Sequence, residues 1–254
     1  MHHETQVRLL RKVLALAEQG VSDCAETPSA LPVTAYLDEA RYRREREEVL
    51  LREPVLVARS GEIPSGHFLT RELLVPVLLS RDEQGRLRAF LNVCKHRGTQ
   101  LVAEESGSNR VFVCPYHAWS YNPDGSLRGI PHGYGFEGVE RACLNLTELP
   151  VAERFGAVWA RLSPGPALDL NAFFGEEILA DFESFAVDDH VLFDPRDIRR
   201  PVNWKLTVDT FLENYHVAKA HQATIDHLFW PNLGSFERFG RHIRNYYVKR
   251  NLRE

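Results

Sequence analysis

The sequence predicts an α+β chain, in which an all-β block lies between a helical N-terminal segment and the start of a mixed α+β block. Three observations predict it. Val7, Leu10, Val13, Leu14 and Ala17 recur at helical spacing, and Gly20 stops them. From Val55 to Leu162 the apolar runs are short and separated by turn residues. After Ser163-Pro164-Gly165-Pro166, helix-like and strand-like segments alternate.

Taken in order, the first helix covers 6–19 and a second covers 37–52, ending before Pro54, whose ring disfavours helix in the residue before it. Arg41, Arg43, Arg44 and Arg46 are interleaved with Glu45, Glu47 and Glu48, which reads as a solvated helix face. Strands are expected over 55–58, 73–80 and 87–93, with a hairpin turn at 81–85. Residues 110–113 and 119–121 continue the pattern, 123–125 make another turn, and 154–162 form the last strand. Beyond 166 the expectation is a helix over 171–185, a strand over 191–198, a strong helix over 204–219 and a strand over 241–248. The domain limits that follow are 1–52, 53–165 and 166–254.

Composition narrows the function classes. Hydrophobic residues make 44% of the 254 and charged residues 26%, ordinary for a globular chain. A net charge of -4 gives no electrostatic case for nucleic acid or an anionic membrane. No apolar run nears the ~20 residues of a membrane span, and the N-terminus lacks the apolar core of a signal peptide. With only Cys24, Cys94, Cys114 and Cys143, a disulfide framework is not expected. A reducing, cytoplasmic compartment follows, in which cysteine chemistry means metal or nothing.

The chemistry begins at Cys94-Lys95-His96-Arg97-Gly98 and, after an interval, Cys114-Pro115-Tyr116-His117. Each pair lies on a tight loop between short strands and offers one thiolate and one imidazole. A two-iron cluster can use them asymmetrically, two Cys on one iron and two His on the other, which is the Rieske [2Fe–2S] arrangement. Four-coordinate zinc is the alternative for two Cys and two His, although zinc fingers usually pair Cys with Cys and His with His. A plain core role is the third reading.

The two motifs, together with Ala118-Trp119-Ser120-Tyr121-Asn122-Pro123-Asp124-Gly125, resemble the Rieske domain of ring-hydroxylating and related oxygenases, a likeness covering most of 50–254. Ala118 departs from the glycine many members carry and should be tolerated unless the backbone needs positive φ there. Respiratory Rieske proteins carry an extra Cys in each loop; here the matching residues are Thr99 and Tyr116. Fewer hydroxyl hydrogen bonds should then lower the potential. Trp119 is expected either near the cluster or as ordinary core.

The second constellation runs from Asn203 to His221. Read as a helix, Trp204, Val208, Phe211 and Tyr215 form an apolar stripe, with Asp209, Glu213 and His216 opposite. His216 and His221 lie roughly 140° apart on an ideal helix, so the helix must distort or end between them to serve one ion. The segment resembles the mononuclear non-haem iron motif of the same family. The resemblance implies that His216 and His221 bind iron, that Glu213 bridges electron transfer between subunits, and that Asp209 stands in a supporting position. The Asp209-Thr210-Phe211-Leu212-Glu213-Asn214-Tyr215-His216 form is similar to the branch acting on quaternary amines such as choline and carnitine, with Thr210 in place of that branch's usual Asn.

By the same resemblance the catalytic part is an incomplete helix-grip-type α+β domain, the start of a longer protein or of a truncated product. The third iron ligand, a carboxylate, is expected downstream; Asp226, Glu237 and Glu254 are the acids after His221, and none is a strong candidate. The family implies a [2Fe–2S] cluster, Fe(II) and O₂, with electrons from NAD(P)H through a reductase or ferredoxin, and a homo-oligomer, trimeric when full length. It implies hydroxylation or demethylation of a small organic substrate. The rival functions are a Rieske ferredoxin-like electron carrier and an inactive remnant.

Overall fold

The computed structural model describes residues 1–250 except 109 and 197. The chain divides into two units, one of residues 43–173 and 187–189, the other of residues 1–42, 174–186 and the chain from 190 on. In chain order the elements are α1 (His3–Gln19), α2 (Thr34–Leu37), α3 (Glu39–Glu45), β1 (Val55–Arg59), β2 (His67–Glu72), β3 (Pro76–Arg81), β4 (Leu87–Leu91), β5 (Ser106–Ser108), β6 (Phe112–Val113), β7 (Ser120–Tyr121) and β8 (Leu127–Gly129). There follow β9 (Glu148–Leu149), β10 (Val151–Arg154), β11 (Ala157–Ala160), α4 (Leu170–Phe174), α5 (Glu176–Ser184), α6 (Trp204–Phe211), α7 (Val217–Ala220), β12 (Phe229–Phe239) and β13 (His242–Lys249). No helix among the described residues is long and apolar enough to cross a membrane.

The β-rich unit holds three antiparallel sheets, ordered β5-β2-β3-β4-β9, β1-β11-β10 and β6-β7-β8. β3 is their hinge of packing. Val77, Leu78 and Leu79 are each 0% exposed because alternate side chains enter different cores. Leu78 joins Phe90, Phe112, Trp119, Tyr121 and the two buried cysteines, while Val77 and Leu79 join Ile63, Val158 and Ala160. The strand expected over 154–162 is instead two strands. Phe155 and Gly156 both take positive φ, the mark of a two-residue turn whose twist suits a hairpin. β2 was not anticipated, since His67, Thr70 and Arg71 dilute its apolar signal.

In the second unit the β12–β13 hairpin packs Leu233 and Val248 against Val13 of α1, with Leu16, Trp230 and Tyr246 around them. The helix expected over 171–185 breaks into α4 and α5 at Gly175, φ 76°. The strand expected over 191–198 does not form among its described residues: Val191 and Phe193 are 86% and 90% exposed, and Pro195 removes a ladder donor. The long helix expected over 204–219 is corrected as well, to α6 and the single turn of α7.

Candidate metal centres

The two Cys–His loops are twins. In each, the cysteine N–H donates to the carbonyl five residues on (Thr99 and Trp119, both 2.8 Å), and the residue four on donates back to the cysteine carbonyl (Gly98 and Ala118, both 3.0 Å). That closure needs left-handed backbone at the fourth position, supplied by Gly98 at φ 71° and by Ala118 at φ 54°. Asn92, 0% exposed, ties the first loop down: its amide donates to the Val102 carbonyl and accepts from Val102 N–H. An asparagine inside the apolar run 87–93 is the one sequence signal for this brace.

Cys94 and Cys114 are each 2% exposed. Burial pushes the Cys94 thiol up, against hydrogen bonds from the Tyr121 hydroxyl and the His96 backbone N–H that favour its thiolate. The Tyr121 Oη lies 3.4 Å from Cys94 Sγ and also accepts from Lys95 N–H at 3.1 Å. Sequence reading missed this contact and expected few hydroxyl bonds here. The His96 and His117 rings stand 4.6 Å apart, and Trp119, 2% exposed, stacks on His96 at 4.8 Å with planes 4° apart. Phe136 closes edge-on against both His96 and Trp119.

His96 Nδ1 is buried and has no hydrogen-bond partner. Burial, then the charges of His117 and Arg97, lower the His96 pKa, so the imidazole is neutral, the form that binds metal. An orphaned neutral ring nitrogen beside two buried thiols fits a [2Fe–2S] cluster. Among the described residues no three His, Cys, Asp or Glu side chains converge on one point. A mixed-ligand cluster asks for two protein ligands on each iron, not three on one.

The second site forms on the turn between α6 and α7. His216 caps the N-terminus of α7 and His221 its C-terminus, with ring centroids 5.3 Å apart. Two imidazoles each roughly 2 Å from a shared ion require a separation of this order. Glu213 receives both the His216 ring Nδ1 and, at 3.1 Å, the His216 backbone N–H. Burial works to raise the Glu213 pKa, but these hydrogen bonds outweigh it and hold the carboxylate below its ordinary value. With Nδ1 engaged, His216 has Nε2 left for a metal.

Neither Asp209, expected on the same face, nor the described acids after His221 are brought to this pair. Asp209 does not share a face with Glu213 and His216, because α6 ends at Phe211; its carboxylate accepts from the Tyr36 hydroxyl at 2.7 Å. Asp226 lies 3.9 Å from Arg250, and Glu237 is taken by Arg8 and Arg244. Glu254 lies outside the described residues. Two histidines fit an iron site; a third ligand is not among the described residues around them.

Fold and loops together define a Rieske-type iron–sulfur domain followed by a mononuclear-iron catalytic segment. Residues 53–138 match the Rieske [2Fe-2S] domain and residues 179–253 match the ring hydroxylating alpha subunit catalytic domain. The chain belongs to the Rieske oxygenase α-subunit family. It is 32% identical over 209 residues to the carnitine monooxygenase oxygenase subunit of Escherichia coli strain K12, covering 80% of this chain and 55% of that one. It is 31% identical over 196 residues to the large oxygenase component of the naphthalene 1,2-dioxygenase system of Pseudomonas aeruginosa, covering 74% of this chain and 43% of that one. A crystal structure of a quaternary ammonium Rieske monooxygenase superposes with a TM-score of 0.78 at 25% identity, over 87% of this chain and 62% of that one. The chain thus spans about half the length of the curated relatives it matches.

Proposed function

We propose that this chain is the electron-receiving and iron-holding part of a Rieske non-haem iron oxygenase. Cys94, His96, Cys114 and His117 would hold the cluster, and His216 and His221 the mononuclear iron. The observation that carries the reading is the presence of both sites in one chain, since an electron carrier needs only the first. When bound, the cluster supplies single electrons and the mononuclear iron supplies O₂ activation for hydroxylation or demethylation of a small organic substrate.

The protein's own part is orientation and exclusion of water. Trp119 and Phe136 hold the His96 ring plane, and the buried Tyr121 hydroxyl favours negative charge on the Cys94 sulfur. Glu213 sets the rotation of His216 and carries a carboxylate, 45% exposed, for a neighbouring subunit's cluster histidine. Electrons would come from NAD(P)H through a reductase or ferredoxin, in a cytoplasmic homo-oligomer. The 209–216 motif and the carnitine relative favour a quaternary amine as substrate.

The test is reconstitution with iron and sulfide, followed by reductase, NAD(P)H, O₂ and quaternary amines. Equal iron and sulfide in the cluster and a rhombic EPR signal of low average g on reduction are expected. Zinc with no acid-labile sulfide would sink the cluster assignment. A reducible cluster in a protein whose second iron never exceeds background would favour the carrier reading instead.

A further inference from the structure

A helix continues when each carbonyl accepts the N–H four residues on. The last such bond of α6 runs from Leu212 N–H to the Val208 carbonyl; to reach His221 the helix would also need the Asp209, Thr210 and Phe211 carbonyls to accept from Glu213, Asn214 and Tyr215. On such a helix His216 and His221 would stand roughly 140° apart and could not meet. No proline or glycine lies between Phe211 and His221, but within the stretch the Glu213 carboxylate takes the His216 N–H that the Leu212 carbonyl would need.

A further obstacle comes from β13. Asn245 Nδ2 donates to the Phe211 carbonyl at 2.8 Å, and the Tyr247 hydroxyl donates to it at 3.3 Å. Asn245 Nδ2 also donates to Tyr247 Oη at 3.1 Å, so the two side chains and the carbonyl form a closed ring of hydrogen bonds. Tyr247 is held in place by what faces it across the hairpin. Its register partner on β12 is Gly234, where a Cβ would come within 2.7 Å of the tyrosine ring. The chain is pinned again just beyond, where buried Asn214 donates to the Leu233 carbonyl at 3.4 Å. Burial and the Glu213 charge raise the Tyr247 pKa, against the Asn245 hydrogen bond, so its hydroxyl stays a donor.

We propose that Asn245 and Tyr247 are positioning residues for the His216–His221 pair. By holding the Phe211 carbonyl, past the last helical bond of α6, they keep the helix from continuing through the turn on which the two imidazoles converge. The inference rests on the reading of these histidines as an iron site. It also assigns Gly234 a purpose: room for the ring that carries the Tyr247 hydroxyl.

The experiment uses the full chain with ¹³C-labelled histidine, titrated with Co(II) as the probe and read by NMR. His216→Ala and His221→Ala identify the two resonances. In the wild type both should shift together at the same cobalt concentration. In Asn245→Ala/Tyr247→Phe the affinity should fall about tenfold, only one histidine should respond, and the Tyr215 amide should gain exchange protection as α6 lengthens. Tyr247→Phe alone keeps the ring over Gly234, so it should fold and lose a smaller part of the affinity. Wild-type cobalt shifts in the double variant would overturn the proposal, even if its thermal stability fell. If neither histidine responds in the wild type, the iron-site reading fails instead. The Tyr215 amide then still decides: gained protection upholds the positioning role, and unchanged protection rejects it.

Discussion

Ala118 is the alanine in a loop whose twin uses glycine, and at φ 54° its methyl pays for left-handed backbone that Gly98 adopts freely. Ala118→Gly should therefore raise stability by up to about 1 kcal/mol, partly offset by the freer unfolded chain, in urea unfolding of the cluster-free protein. No change would mean the loop has relaxed the strain elsewhere. Tyr121 acts on the same site through its oxygen. Tyr121→Phe removes a donor to the Cys94 sulfur and should lower the cluster midpoint potential by about 40 mV, the one-electron equivalent of about 1 kcal/mol. Protein-film voltammetry of the two proteins measures it. Glu213→Gln removes the anion but keeps an acceptor for His216. In the assembled oxygenase it should leave iron bound and slow electron arrival at the second site, seen in single-turnover kinetics; a wild-type rate would leave Glu213 a surface carboxylate. The ligand types proposed at these positions come from residue order, because Cys-x-His and Cys-x-x-His are rare patterns with one main chemistry. The Tyr121–Cys94 contact could not, since it joins atoms 27 residues apart.

Elements show where local rules suffice and where they yield. α1 is written in its own residues: apolar spacing starts it and Gly20, at φ 69°, ends it. Asn203 likewise caps α6, its side chain accepting from Lys205 N–H at 3.1 Å. The end of α6 has no such signature, and a periodic reading overran it. β3 illustrates the opposite case, where a continuous apolar run is a strand because both faces are buried. Leu78 faces the core of the two cysteines and Leu79 the other core. Either Leu→Ala should cost about 2–5 kcal/mol. Only Leu78→Ala should also speed cluster loss, followed as bleaching of the visible absorbance under chelator. Equal bleaching rates would show that the two cores are not mechanically distinct.

At the scale of the whole chain, charge pairs join segments far apart in sequence. Lys12 donates to Asp23 at 2.7 Å, and Asp23 also accepts from Phe236 N–H at 3.2 Å, linking the N-terminal segment to β12. Hydrogen bonds from Lys12 and Ser235 lead the causes that bring the Asp23 pKa to about 2. A depressed carboxylate stabilises the fold above its unfolded pKa, and that contribution is lost as pH falls through the folded value. The loss therefore falls between roughly pH 4 and pH 2. Asp23→Asn should cost about 1 kcal/mol at neutral pH, discounted for partial exposure, and the difference from wild type should vanish below pH 2. Equilibrium unfolding across that range checks it. Residue order alone decided which residue types are available to ligate and which family the chain belongs to, because those depend on residue type and short spacing. Contacts across the fold decided that β13 side chains hold the Phe211 carbonyl, that Asp209 pairs with Tyr36, and that Asp226 and Glu237 face arginines. Each of these turns on a partner distant in sequence, and the energy of a hydrogen bond or ion pair depends on the geometry that brings the partners together.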